Sequence, residues 1–109
     1  MMSTLSTHVL DATTGTPAAG VHVALAGADG SVLGTGRTDD DGRIRALTDE
    51  PLPPGTYTLT FGTGDWFAER DIVPFYPEVV VTFRISVAGN HFHVPLLLSP
   101  FAYSTYRGS

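Results

Sequence analysis

Val79, Val81, Phe83, Ile85 and Val87 recur at every second position. A repeat of two belongs to a strand, whose side chains alternate between faces; a helix cannot gather such a set on one side. The repeat returns along the chain. Leu5, Thr7 and Val9 share a face of a strand from Thr4 to Leu10; Val21, Val23 and Leu25 alternate through a second; Tyr57, Leu59 and Phe61 through another. Between these runs lie turn formers: Asp11 to Pro17, Gly27-Ala-Asp-Gly30, Asp39-Asp40-Asp41-Gly42, Leu52-Pro-Pro-Gly55 and Ala88-Gly-Asn90. Ser31 to Thr38 is a weaker strand, diluted by Gly34 and Gly36, and Arg43-Ile44 a short one. Thr63 to Asp71 breaks the alternation, and Asp65 is placed to cap one short helix there. After Ser99-Pro100, Phe101 to Thr105 can add a last strand. About eight short strands and one helix predict an all-β, two-sheet β-sandwich. At 109 residues the chain has room for one core, so residues 1–109 are expected to form a single domain.

Charge narrows the partners. A net charge of −5 disfavours nucleic acid and anionic membrane surfaces. The chain has no cysteine, which removes disulfides and thiolate chemistry. No stretch is apolar enough to span a membrane and no signal pattern opens the chain, so a cytoplasmic protein is expected. The acidic run at Asp39–Asp41 lacks the spacing and distal Glu of a calcium loop and reads as a turn.

The residues able to carry chemistry gather late in the chain. In a strand, His91 and His93 share one face with Pro95 and Leu97, while Phe92, Val94, Leu96 and Leu98 take the other, the core side. Two outward imidazoles have no packing role, and a histidine exchanges protons near neutral pH. The pair could also ligate zinc if His8 supplied a third donor. His22, between Val21 and Val23, reads as a surface residue. All six cationic residues are arginines. Arg43 directly follows a tight turn, where its planar fork could hold a carbonyl-rich ligand; Arg84 reads as lying on a sheet surface.

Six segments together resemble one family. They are His8-Val-Leu-Asp11, Gly15-Thr-Pro-Ala-Ala-Gly20-Val21, Thr38-Asp-Asp-Asp-Gly42-Arg43, Phe75-Tyr-Pro-Glu-Val79, His91-Phe-His93-Val-Pro-Leu-Leu-Leu-Ser99-Pro100 and the terminal Tyr106-Arg107-Gly108-Ser109. In order and without large gaps, they resemble the transthyretin-related 5-hydroxyisourate hydrolases. The first half of the pattern recurs in unrelated sandwiches; the last nineteen residues are specific. The chain departs at Phe92, where the family often has tyrosine, and at Trp66, where it often has tyrosine or phenylalanine. The resemblance implies a transthyretin-like sandwich of two four-stranded sheets, assembled as a homotetramer, a dimer of dimers with sites between the dimers. It implies catalytic His8, Arg43 and His93, substrate-binding Tyr106, Arg107, Gly108 and Ser109, and no metal or other cofactor. His91 belongs to the motif without being the principal catalytic histidine. The implied reaction hydrolyses 5-hydroxyisourate to 2-oxo-4-hydroxy-4-carboxy-5-ureidoimidazoline, one of His8 and His93 deprotonating water and the choice between them left open. A transthyretin-like carrier would need neither the outward His8, Arg43 and His93 together nor the Tyr-Arg-Gly-Ser end. A structural β-sandwich module would need only the turn-rich segments. Fold alone does not choose among the three.

Overall fold

A computed structural model describes residues 4–86 and 90–108. The elements run β1 (Thr4–Asp11), β2 (Thr16–Pro17), β3 (His22–Ala26), β4 (Val32–Arg37), β5 (Arg43–Ile44), β6 (Gly55–Phe61), α1 (Thr63–Ala68), β7 (Val79–Ile85), β8 (His91–Ser99) and β9 (Ala102–Thr105). One sheet has the order β2-β1-β8-β9, with β5 also paired to β1; the other has the order β4-β3-β6-β7. The two-sheet sandwich with one short helix is as expected. Its strands number nine among the described residues because two of them, β2 and β5, are only two residues long.

The core is the sum of the alternating faces. Leu5 and Val9 of β1 and Phe92, Val94, Leu96 and Leu98 of β8 meet Val23 and Leu25 of β3, Leu59 and Phe61 of β6, and Val79 and Ile85 of β7. All are buried. Burying such a side chain fully contributes roughly 1.5–3 kcal/mol, so these faces hold the sheets together. Thr7 joins the inner face as expected, and its hydroxyl donates to the Val94 carbonyl at 2.6 Å. That bond offsets the cost of burying a polar group.

What positions the site is the pairing of β1 with β8. The strands run parallel, with Thr4 opposite His91, Ser6 opposite His93 and His8 opposite Pro95. Strand β5 lies on the other side of β1, His8 opposite Arg43. Sequence positions some 85 apart therefore share one outer face.

Three expectations are corrected. Asp65 does not cap α1: the helix begins at Thr63, with Gly62 at its cap position and no side-chain cap, so Asp65 falls in the first turn. Six residues cannot hold a helix by themselves. Burial of Trp66 and Phe67 holds this one, with the Trp66 indole N–H donating to the Ala19 carbonyl at 2.7 Å and the Arg70 guanidinium 3.7 Å from the ring centroid. Pro95, expected on the exposed face with Leu97, is buried, and Leu97 is half-buried. Phe101, expected to open the last strand, sits in the turn before β9 and is 71% exposed. Val87, Ala88 and Gly89, read as the end of a strand and the start of its turn, lie outside the described residues.

Candidate active site

The acidic turn builds one wall of the site. The Asp39 carboxylate accepts the backbone N–H groups of Asp41 and Arg43, both at 2.9 Å. The bond from Arg43 is the main reason its carboxyl is held below the ordinary carboxylate range. Gly42 adopts φ +74°, and a Cβ there would lie 2.3 Å from the Val9 carbonyl oxygen. Only glycine fits so close an approach with that backbone. The Gly42 carbonyl in turn accepts the Val9 N–H at 2.7 Å, fastening the turn to β1 and setting Arg43 beside His8.

Strand alternation on β1 and β8 supplies the other wall. A cleft of about 340 Å³ opens on the outer face, bordered by Ser6, His91, His93, Arg43 and Arg45. His93 is half-buried, with Nδ1 2.8 Å from Ser6 Oγ. Its Nε2 has no protein partner among the described residues. Burial first, then the positive charge of Arg43 and the neighbouring His8 and His91, lowers its pKa below histidine's ordinary 6.5. At neutral pH the ring is therefore an uncharged proton acceptor or donor, as an acid–base group must be.

His8 stands next to the cleft. Its Nε2 lies 2.9 Å from the Asp41 carbonyl oxygen. A carbonyl only accepts, so this nitrogen carries the proton and Nδ1 keeps the lone pair when the ring is neutral. His91 is engaged at both nitrogens, Nδ1 2.6 Å from Thr4 Oγ1 and Nε2 2.8 Å from Ser6 Oγ. The apparent His-x-His ligand pair is thus tied up in hydroxyl contacts. Among the described residues no group of three His, Cys, Asp or Glu could hold a metal ion. His22 is exposed, on the other sheet.

The C-terminal tail divides. Gly108 forms an isolated bridge with His93, its N–H donating to the His93 carbonyl at 2.8 Å. A Cβ at Gly108 would lie 2.6 Å from His93 Cδ2, so the glycine lets the tail press on the imidazole edge. The Arg107 guanidinium sits 4.6 Å from the Phe92 ring centroid, and Arg107 also borders a recess with Asn90, His91 and Gly108. Tyr106, 58% exposed, borders an apolar groove with Phe83, Phe92 and Val94. Neither Tyr106 nor Arg107 lines the His93 cleft within the chain, and Ser109 lies outside the described residues. The structure adds two residues not singled out from sequence, Ser6 and Arg45. The alternation of Thr4, Ser6 and His8 was a visible signal for Ser6, but its neighbour strand was not.

A two-sheet sandwich of transthyretin type, with imidazole and guanidinium groups gathered on one outer face, defines the class. Comparison with known proteins gives the family. The HIUase/Transthyretin family model matches residues 5–108. The chain is 50% identical over 109 residues to 5-hydroxyisourate hydrolase of Salmonella dublin, covering 96% of this chain and 80% of the relative. It superposes on the structure of Klebsiella pneumoniae 5-hydroxyisourate hydrolase with a TM-score of 0.93 and 46% identity, over 99% of this chain and 100% of the other. Transthyretin from Sparus aurata is 35% identical at a TM-score of 0.87, over 95% of each chain. The chain belongs to the HIUase/Transthyretin family. Its higher identity to the hydrolases puts it on their side of that family, and it is a hydrolase.

Proposed function

We propose that this chain hydrolyses 5-hydroxyisourate, opening the six-membered ring at the N1–C6 amide to give 2-oxo-4-hydroxy-4-carboxy-5-ureidoimidazoline in urate degradation. The observation that carries the reading is the half-buried His93 ring, bonded through Nδ1, its Nε2 without a protein partner among the described residues, beside Arg43 and Arg45. Nε2 takes a proton from water as the oxygen attacks C6, a contribution of about 10²–10⁴-fold for a positioned base. The guanidinium of Arg43, with Arg45 beside it, stabilises the negative charge that develops on the carbonyl oxygen. His8 orients substrate or water through Nδ1, since its other nitrogen is spent on Asp41. The leaving N1 regains a proton from His93.

Tyr106, Arg107, Gly108 and Ser109 are assigned to substrate binding. Two contacts support this: Gly108 against the His93 ring, and Arg107 on the recess it shares with His91. No cofactor enters the scheme. We also assign a cytoplasmic homotetramer made of two isologous dimers. Strands β7 and β9 are sheet edges with no second partner strand among the described residues, and exposed Phe101 and Tyr103 lie at or beside β9. No helix among the described residues is long and apolar enough to cross a membrane. The direct test is ultraviolet decay of freshly made 5-hydroxyisourate with and without the protein. Decay no faster than the spontaneous rate would overturn the assignment.

A further inference from the structure

Thr4, His91, Ser6 and His93 form one row of hydrogen-bonded groups. Thr4 Oγ1 is 2.6 Å from His91 Nδ1, His91 Nε2 is 2.8 Å from Ser6 Oγ, and Ser6 Oγ is 2.8 Å from His93 Nδ1. The row exists because β1 and β8 pair parallel and in register, which sets the hydroxyls at 4 and 6 opposite the imidazoles at 91 and 93. Ser6 is buried, His93 half-buried, and Thr4 and His91 exposed.

A hydroxyl carries one proton, so Ser6 donates to one imidazole and accepts from the other. The row therefore has two polarities. In the first, His93 Nδ1–H donates to Ser6, Ser6 O–H donates to His91 Nε2, and His93 Nε2 is bare. In the second every bond is reversed, and His93 Nε2 carries a proton.

We propose that Ser6 and His91 are positioning residues that form a proton relay behind His93, with His91 storing the proton taken from the attacking water. The inference rests on the hydrolytic reading above. The step balances. Water gives one proton to His93 Nε2 as its oxygen bonds to the carbonyl carbon. His93 Nδ1–H then passes to Ser6 Oγ as the Ser6 proton passes to His91 Nε2. His93 is left neutral and protonated at Nε2, and His91 is the cation. When the C–N bond breaks, the leaving nitrogen takes the Nε2 proton. His91 returns its proton through Ser6 to His93 Nδ1, restoring the first polarity. The second water proton stays on the new carboxyl group and leaves when that acid ionises.

The relay answers an electrostatic problem. A cation held on His93 would be half-buried and faced by Arg43 and Arg45 from β5 and the segment after it, and by His8 from β1. Moved to His91, which borders the same cleft and, with Arg107, the neighbouring recess, it reaches an exposed ring where solvent screens the charges of Arg43, Arg45 and Arg107. The lowered pKa of His93 agrees with that geometry.

Ser6→Ala is expected to lower kcat by about tenfold or more with KM changed by less than about threefold, the pattern of a group acting after binding. In mixtures of light and heavy water, kcat of the unmodified enzyme should follow a bowed curve, because more than one proton moves, and Ser6→Ala a straight line. His91→Ala, at an exposed position that tolerates truncation, should lose kcat and regain part of it with added imidazole. A readout free of turnover is ¹⁵N NMR titration, in which His91 and His93 should titrate as a coupled pair and become independent in Ser6→Ala. Wild-type kcat in both variants would overturn the relay. So would lost kcat with an unchanged bowed curve and coupled titration. Should Ser6→Ala not fold, His91→Ala decides: no loss, or loss without imidazole rescue, overturns the proposal. An unmodified protein inert toward 5-hydroxyisourate would sink the hydrolytic reading instead, and the titration would still judge the relay.

Discussion

At the scale of single residues, His93 bears the most weight. His93→Asn is expected to lower kcat/KM by about 10²-fold or more, the range for losing a positioned acid–base group. The unfolding free energy should change by no more than about 1.5 kcal/mol, the net worth of one hydrogen bond. Steady-state kinetics and urea unfolding on one sample check both, and near-wild-type turnover would remove His93 from the base role. The pH profile carries a sign. Because the folded ring has its pKa below 6.5, kcat/KM should rise with pH through an inflection below that value. Arg43→Met should lower activity and move the inflection up toward 6.5, since a neighbouring positive charge is removed. The same group links pH to stability. Above about 6.5 both states hold His93 neutral. As pH falls below that, the unfolded chain binds the proton first, so stability declines until the depressed folded value is reached.

Among elements, the acidic turn and the tail are both held by glycines on which another backbone or ring closes. Gly42→Ala would force an L side chain into positive φ and against the Val9 carbonyl. It should destabilise by about 1–3 kcal/mol, read as a fall in thermal midpoint. The tail separates structure from function. None of Tyr106, Arg107 and Gly108 belongs to the core cluster, so deleting positions 106–109 should leave the circular dichroism spectrum intact. It should nearly abolish hydrolysis, because the contact of Gly108 with the His93 ring goes with it. A truncated protein that folds and turns over at the full rate would reduce the tail to an ordinary terminus.

For the whole molecule, the open outer face and the sheet edges at β7 and β9 are the grounds for the proposed assembly. Sedimentation is expected to give a tetramer, with activity lost on dilution to smaller species; an active monomer would end that reading. Activity should also survive exhaustive chelation, since both nitrogens of His91 and one of His93 are already in contact with hydroxyls. Loss with chelator and recovery with zinc would reverse this.

The sequence by itself determined the strands, their faces and the single sandwich, because period-two burial and turn chemistry are local properties written in neighbouring residues. It also pointed to His93 as an outward imidazole on an otherwise apolar strand, to Arg43 as the residue after a tight turn, and, through a family resemblance, to His8 beside them as candidates. Tertiary structure decided which residues those three would meet. Nothing within reach of Ser6 along the chain points to His93, and only the parallel pairing of β1 with β8 puts them 2.8 Å apart. The start of α1 was likewise decided by burial of Trp66 and Phe67 rather than by a capping side chain. Local pattern sets what each segment can be; pairing between distant segments sets which side chains share a site, and alternation carries no record of the partner strand.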